Sequence, residues 1–182
     1  MKFLKLFIAF VLFLNMNTSY AQLEKGNLLV GGNAGLNLQF NQGDNTFSLF
    51  LNPQVLTFVS DNLAVGGSLG LNYFTAGSFS SFGLSILPSG RYYFPGEKDN
   101  LAFFVNGQVG LQLLNSNLGS GTDSALAFGF GPGVSFFLSE DVAIDTGLSF
   151  NRFGGAIDTS SLNLTVGFQF FLNRKRKEKK SK

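Results

Sequence analysis

The 182-residue chain has 13% charged and 45% hydrophobic residues, with 23 Phe, 23 Gly and no Cys, His or Trp. Ordinary soluble domains carry roughly 25% charged residues, so this chain holds about half the usual solvating charge. The missing residue types exclude His-dependent acid/base catalysis, Cys nucleophiles, disulfides and thiolate zinc sites, the apolar content excludes a disordered chain, and no cofactor or metal site is expected.

Residues 1–21 have the pattern of a signal peptide: Lys2 and Lys5 precede an apolar run to Leu14, and Ser19-Tyr20-Ala21 before Gln22 supplies small residues for cleavage. That run is well short of the ~20 residues of a membrane-spanning helix. The body is then residues 22–172, with four basic residues (Lys25, Arg91, Lys98, Arg152) against ten acids, a net charge of −6. Residues 173–182 form a basic tail with seven Lys or Arg and Glu178, a net charge of +6. The overall +2 hides this division.

After Gly26 the chain alternates with period two, the signature of strands whose two faces meet different surroundings. The first run, residues 28–40, sets Leu28, Val30, Ala34, Leu36, Leu38 and Phe40 against Asn33, Asn37 and Gln39. The second sets Phe47, Leu49, Leu51, Pro53 and Val55 against Ser48, Asn52 and Gln54, and the third Leu63, Val65, Leu69, Leu71 and Tyr73 against Ser68, Gly70 and Asn72. The fourth and fifth set Phe82, Leu84, Ile86 and Tyr92 against Ser85, Ser89 and Arg91, then Phe103, Val105, Val109, Leu111 and Leu113 against Asn106, Gln108 and Gln112. In the sixth, Leu126, Phe128, Phe130, Val134 and Phe136 oppose Ala127, Gly129, Gly131 and Ser135. The seventh opposes Val142, Ile144, Leu148 and Phe150 to Asp145, Ser149 and Asn151, and the eighth Leu162, Leu164, Val166, Phe168 and Phe170 to Asn163, Thr165 and Gln169.

Short turns at 60–62, 95–100 and 139–141 alternate with longer connections at 41–45, 75–81, 115–123 and 154–160, all rich in Gly, Asn, Asp and Ser. This is an up-and-down meander of four hairpins. Asn27-Leu28-Leu29-Val30-Gly31-Gly32 recurs as Asn62-Leu63-Ala64-Val65-Gly66-Gly67, so one hairpin is the repeating unit. Pro53, Pro88 and Pro132 each stand six residues before a strand's last residue, with Val166 in the corresponding place before Leu172. Proline cannot donate to a ladder, and the face pattern does not invert after it. Weakened pairing is therefore expected at matching heights on strands two, four and six, without a bulge.

One face is apolar and almost uncharged, which in water would aggregate. The other is Gly, Ala, Ser, Asn, Gln and Thr, too weakly charged for a water-facing exterior. Placing the apolar face in lipid resolves both, and hydrocarbon then demands a closed sheet. The expected fold is an all-β, eight-stranded antiparallel up-and-down transmembrane β-barrel. Eight strands leave an interior that side chains fill. Aromatic rims are expected, one from Phe40, Phe47, Tyr73 and Phe82, the other from Tyr92, Phe94, Phe136 and Phe170.

Three segments carry a family resemblance: Pro88-Ser89-Gly90-Arg91-Tyr92-Tyr93-Phe94, Gly131-Pro132-Gly133-Val134-Ser135-Phe136-Phe137-Leu138, and Val166-Gly167-Phe168-Gln169-Phe170-Phe171-Leu172. The chain resembles the small eight-stranded outer-membrane β-barrel proteins of the OmpA-like or OmpX-like type, especially the outer membrane protein β-barrel domain proteins of Bacteroidetes. The resemblance implies residence in the bacterial outer membrane, contact with its lipid, and a terminal strand read by the outer-membrane assembly machinery. It departs from the family pattern in continuing for ten residues beyond that strand. Membrane-barrel enzymes of this size use His in their catalytic sets, so the resemblance implies a structural or envelope-stabilising protein without catalysis. A narrow porin-like channel or carrier for small, possibly hydrophobic solutes is the alternative.

By phase, Arg91 and Asp145 point inward, either as a gate or as a buried pair bracing the interior. Phe58, Tyr93, Phe137 and Phe171 share one inward position near the ends of the even strands, where they would close the periplasmic mouth, with Phe50 and Phe104 adding apolar lining. The same set could instead line a pocket for a small hydrophobic molecule. Asp44, Asp123 and Asp158 are candidate carboxylates for glycan hydrolysis, but they are more simply solvated loop charges. The basic tail suggests an anionic periplasmic partner, and no nucleic acid is expected for an exported chain.

Overall fold

A computed structural model describes residues 23–39, 46–94, 100–117, 121–155 and 159–173. The signal peptide, Phe40, Asp44, Asp158 and the tail from residue 174 lie outside them. Eight antiparallel strands close in sequence order into one barrel: β1 Leu28–Gln39, β2 Thr46–Ser60, β3 Leu63–Ala76, β4 Phe79–Phe94, β5 Leu101–Ser116, β6 Thr122–Ser139, β7 Val142–Gly155 and β8 Thr159–Leu172. The described chain begins and ends at one mouth of the barrel, with the β2–β3, β4–β5 and β6–β7 turns. We call this the terminal end and the opposite mouth the far end.

The alternation expected from the sequence fixes which face looks out. Leu36, Leu49, Val65, Ile86, Leu111, Phe130, Leu148 and Phe168 are all exposed, and every other exposed large apolar side chain among the described residues lies on the same outward face. The outward rings Phe47 and Tyr73 lie 6.3 Å apart near the far end, and Tyr92 and Phe94 meet edge to face at 5.3 Å near the terminal end.

The strands run further than their turn residues imply. Thr75 and Ala76 pair with Ser80 and Phe79, so the connection expected over 75–81 is only Gly77 and Ser78. Gly77, at φ 58°, supplies the left-handed backbone such a tight turn needs. Asp123, expected in or beside a loop, is the second residue of β6 and pairs with Leu114.

The prolines act as their chemistry requires. Each pairs on one side, with Gly32, Gly67 and Val105 respectively, and interrupts the ladder on the other. Pairing between β2 and β3 stops at Leu51↔Leu71 and resumes at Gln54↔Ser68. Between β4 and β5 it stops at Ile86↔Leu111 and resumes at Ser89↔Gln108, and between β6 and β7 at Phe130↔Phe150 and Gly133↔Gly147. The register is the same before and after each gap, so no residue is inserted.

These gaps fall in the joints between hairpins, whereas the ladders within hairpins, β1–β2, β3–β4, β5–β6 and β7–β8, are continuous. The fourth joint, β8–β1, has Val166 in place of proline. Its pairing runs from Leu28↔Leu172 to Ala34↔Val166 and ends there, although β1 continues to Gln39 and β8 begins at Thr159.

Candidate functional site

The interior divides into three layers along the axis. At the terminal end, inward positions of the strands meet in an apolar floor of Leu29, Leu56, Phe58, Ala64, Tyr93, Ala102, Phe104, Ala143 and Phe171, with Phe137 packed against it. Large and small side chains alternate across neighbouring strands: Phe58 lies opposite Ala64, Phe137 opposite Ala143, and Phe104 opposite Gly133. This is how a narrow barrel fills its cross-section. Phe58 stacks on Tyr93 at 6.0 Å, Tyr93 lies 5.7 Å from Phe104, and Phe171 lies 5.2 Å from Phe137. Tyr93 is 0% exposed. The four inward aromatics named from the sequence thus come together.

Leu23 completes this floor and was not anticipated. It is buried in the cluster, and its carbonyl accepts from the Asn62 amide at 2.9 Å. The Gly26 amide donates to the Phe58 carbonyl at 2.9 Å, and the Lys25 amide to Asp61 Oδ1 at 2.9 Å. The segment before β1 is therefore strapped under the terminal mouth.

Directly above the floor lies a charged layer. Arg91 on β4 and Asp145 on β7 meet across the lumen, Nη1 donating to Oδ2 at 2.5 Å. Arg91 also donates to Tyr93 Oη at 3.1 Å, and its guanidinium lies 4.1 Å from the Phe104 ring centre. Ser135 Oγ donates to the other carboxylate oxygen, Asp145 Oδ1, at 2.5 Å. Gln54 Nε2 donates to Gln169 Oε1 at 3.1 Å beside them. Both charges are buried and bonded, the condition under which a buried pair is tolerated. A cavity of about 50 Å³ adjoins this layer, lined in part by Asn52, Arg91, Asn106 and Asp145. Arg91 Nε, Asn52 Oδ1 and Asn106 Oδ1 are buried there without a protein partner.

The third layer is a chamber of about 390 Å³ in the far half of the lumen. Phe50, Phe74, Leu87, Leu114 and Phe153 supply apolar lining, and Asn33, Asn52, Asn106, Gln108, Asn151, Asn163 and Thr165 supply polar lining. Among the described residues, no Asp, Glu, Lys or Arg lines it. Phe50 and Phe104, paired in the sequence reading, are separated: Phe104 joins the floor, while Phe50 lines the chamber.

Asp123 lies exposed at the far rim, away from any lumen cavity.

No family model matches the chain, and no curated protein does. Solved structures do. Neisserial surface protein A aligns with a TM-score of 0.54 at 18% identity, over 80% of this chain and 97% of that one. The N-terminal β-barrel domain of OprF from Pseudomonas aeruginosa aligns with a TM-score of 0.51 at 15% identity, over 80% of this chain and 98% of that domain. At such identities the likeness is one of fold: the chain is a closed eight-stranded antiparallel barrel of the kind these two structures share.

Proposed function

We propose that the protein is an exported outer-membrane barrel, sealed at its periplasmic end, that serves the envelope structurally and catalyses no reaction. The observation that carries this reading is the apolar floor, in which Phe58, Tyr93 and Phe171 pack together across the terminal end, each 1% exposed or less. An outward face of exposed Leu, Val and Phe supports placement in lipid, and the shared fold supports the outer membrane as that lipid. The short segments around Pro88, Pro132 and Val166 are what favour a Bacteroidetes-type relative within this class.

In this reading both ends of the body face the periplasm, where the floor meets the assembly machinery's side of the membrane. The strand from Val166 to Leu172 engages that machinery before it closes on β1, and residues 173–182 lie near anionic lipid or peptidoglycan. The Arg91–Asp145 pair braces the lumen and does not gate it, because each charge is already bonded. The porin-like alternative requires the floor to open.

Planar-bilayer recording tests the reading. Wild-type protein should insert without stepwise conductance, and Phe58→Ala combined with Phe171→Ala should admit small cations. Regular conductance steps from the wild type would favour the channel and overturn the sealed barrel.

A further inference from the structure

We propose that the far chamber is a binding site for an uncharged single-chain amphiphile, an amide or alcohol bearing one hydrocarbon chain, which enters sideways from the lipid through the β8–β1 joint. The proposal rests on the membrane placement above and adds a ligand to it.

The joint supplies the route. Above Ala34↔Val166, the stretch of β1 from Gly35 to Gln39 and that of β8 from Thr159 to Thr165 have no ladder between them. The outward side chains on either side are apolar and exposed, Leu36 at 59% and Leu162 and Leu164, the barest large apolar side chains among the described residues, both at 70%. The opening therefore lies at hydrocarbon depth, where unpaired backbone groups are costly and need a partner. The three proline joints resume pairing at the same register, and this one does not. Gly35, the first residue of β1 without a β8 partner, makes room for a ring. A Cβ there would stand 2.1 Å from Phe50 Cε1, so the Phe50 ring lies across the glycine between the joint and the chamber.

The lining supplies the chemistry. At about 390 Å³ the chamber lies near the lower end of the roughly 300–1,000 Å³ range of ligand sites, which suits one chain and not a multi-chain lipid. Phe50, Phe74, Leu87, Leu114 and Phe153 form a wall for hydrocarbon. Asn52 Oδ1 and Asn106 Oδ1 are buried acceptors without a protein donor and line both the chamber and the small cavity beneath it. They call for an N–H or O–H donor. A carboxylate headgroup would set acceptor against acceptor at both asparagines and bury a second negative charge where Asp145 already balances Arg91; the free Arg91 Nε–H lines the small cavity beneath and not the chamber. The floor closes the other exit, so what enters from the membrane stays on that side.

The test uses the full mature chain in phosphatidylcholine nanodiscs, with Phe153→Trp as a fluorescent reporter in a protein that has no other Trp. ω-Bromododecanamide should quench the reporter saturably. ω-Bromododecanoate at alkaline pH should need a roughly tenfold or higher concentration in the bilayer. A lipid-facing reporter, Leu111→Trp, should be quenched equally by both and without saturation. Because the chain has no Cys, Leu36→Cys with Leu164→Cys gives a clean disulfide across the joint. Oxidation should slow quenching about tenfold, and reduction should restore it. Ala127→Leu, which narrows the chamber, should weaken saturable quenching severalfold in a barrel that still shows its folded mobility on gels. Equal saturation by amide and carboxylate overturns the neutral site. Unchanged entry with the joint locked, or entry insensitive to Ala127→Leu, overturns the route and the chamber respectively. A barrel that inserts but shows no saturable quenching defeats this inference alone, whereas a chain that will not enter nanodiscs defeats the membrane placement and this inference with it.

Discussion

The two halves of the lumen are built from the same alternating strands and end up with opposite properties. Near the terminal end, rings and small residues interlock, an ion pair crosses the axis, and Leu23 is strapped beneath. In the far half, rings of the same kind line a void, and asparagine acceptors lack partners. The difference is one of complementarity: each large side chain in the floor has a small neighbour or a ring to pack on, and each charge has its counter-charge. The floor is thus the stable half, and the chamber keeps unspent interaction capacity.

Substitutions can break or sharpen that contrast. The largest effect is expected from Arg91→Ala, which strands Asp145 in the interior and should cost about 3–5 kcal/mol, read by urea unfolding in lipid. Conductance should not change; a new open state would make the pair a gate. Next, Phe58→Ala in the floor should cost about 3–4 kcal/mol, whereas Phe50→Ala in the chamber should cost roughly 1 kcal/mol, because its ring already borders a void. Equal losses would mean that the two halves are equally packed.

A smaller contrast lies in two glycines that face rings. A Cβ on Gly133 would lie 2.3 Å from Phe104 Cζ, and Phe104 is held by Tyr93 and Arg91. Gly133→Ala should cost about 1–3 kcal/mol. Gly35→Ala meets Phe50, which has space to turn, and should cost less than about 1 kcal/mol in the same assay. A change of opposite sign is expected at the joints: Pro132→Val restores a donor on β6 opposite Leu148 and should gain about 0.5 kcal/mol. A loss there would show that the interruption itself is needed.

Much of this was legible in the sequence. Alternation identified eight strands and their outward face because an apolar exterior and a packed interior of small polar residues have different compositions. Proline's missing donor located three ladder gaps, and the unbroken face pattern ruled out bulges at the prolines, whereas the register shifts at Phe58/Ser60 and Phe137/Ser139, beside the turns, left no mark in it. Phase together with an equal distance from the strand ends placed Phe58, Tyr93, Phe137 and Phe171 on one inward level. Leu23 was not legible, since one apolar residue in a polar segment has no periodicity to mark it. The two-residue turn at Gly77 was hidden by Ser and Thr that suit loops and strands alike. Phase likewise could not separate Phe50 from Phe104, because it tells inside from outside but not height along a sheared barrel. The unfinished β8–β1 joint depends on how far two distant strands run together, which no local pattern records.

The placement of the gaps also bears on how the wall deforms. Four hairpins with unbroken ladders are joined by four notched seams, so the wall behaves as four stiff staves and not as a uniform cylinder. In the proposed bilayer setting, a change in thickness or lateral pressure is felt first at these seams, with the hydrogen bonds inside each stave left intact.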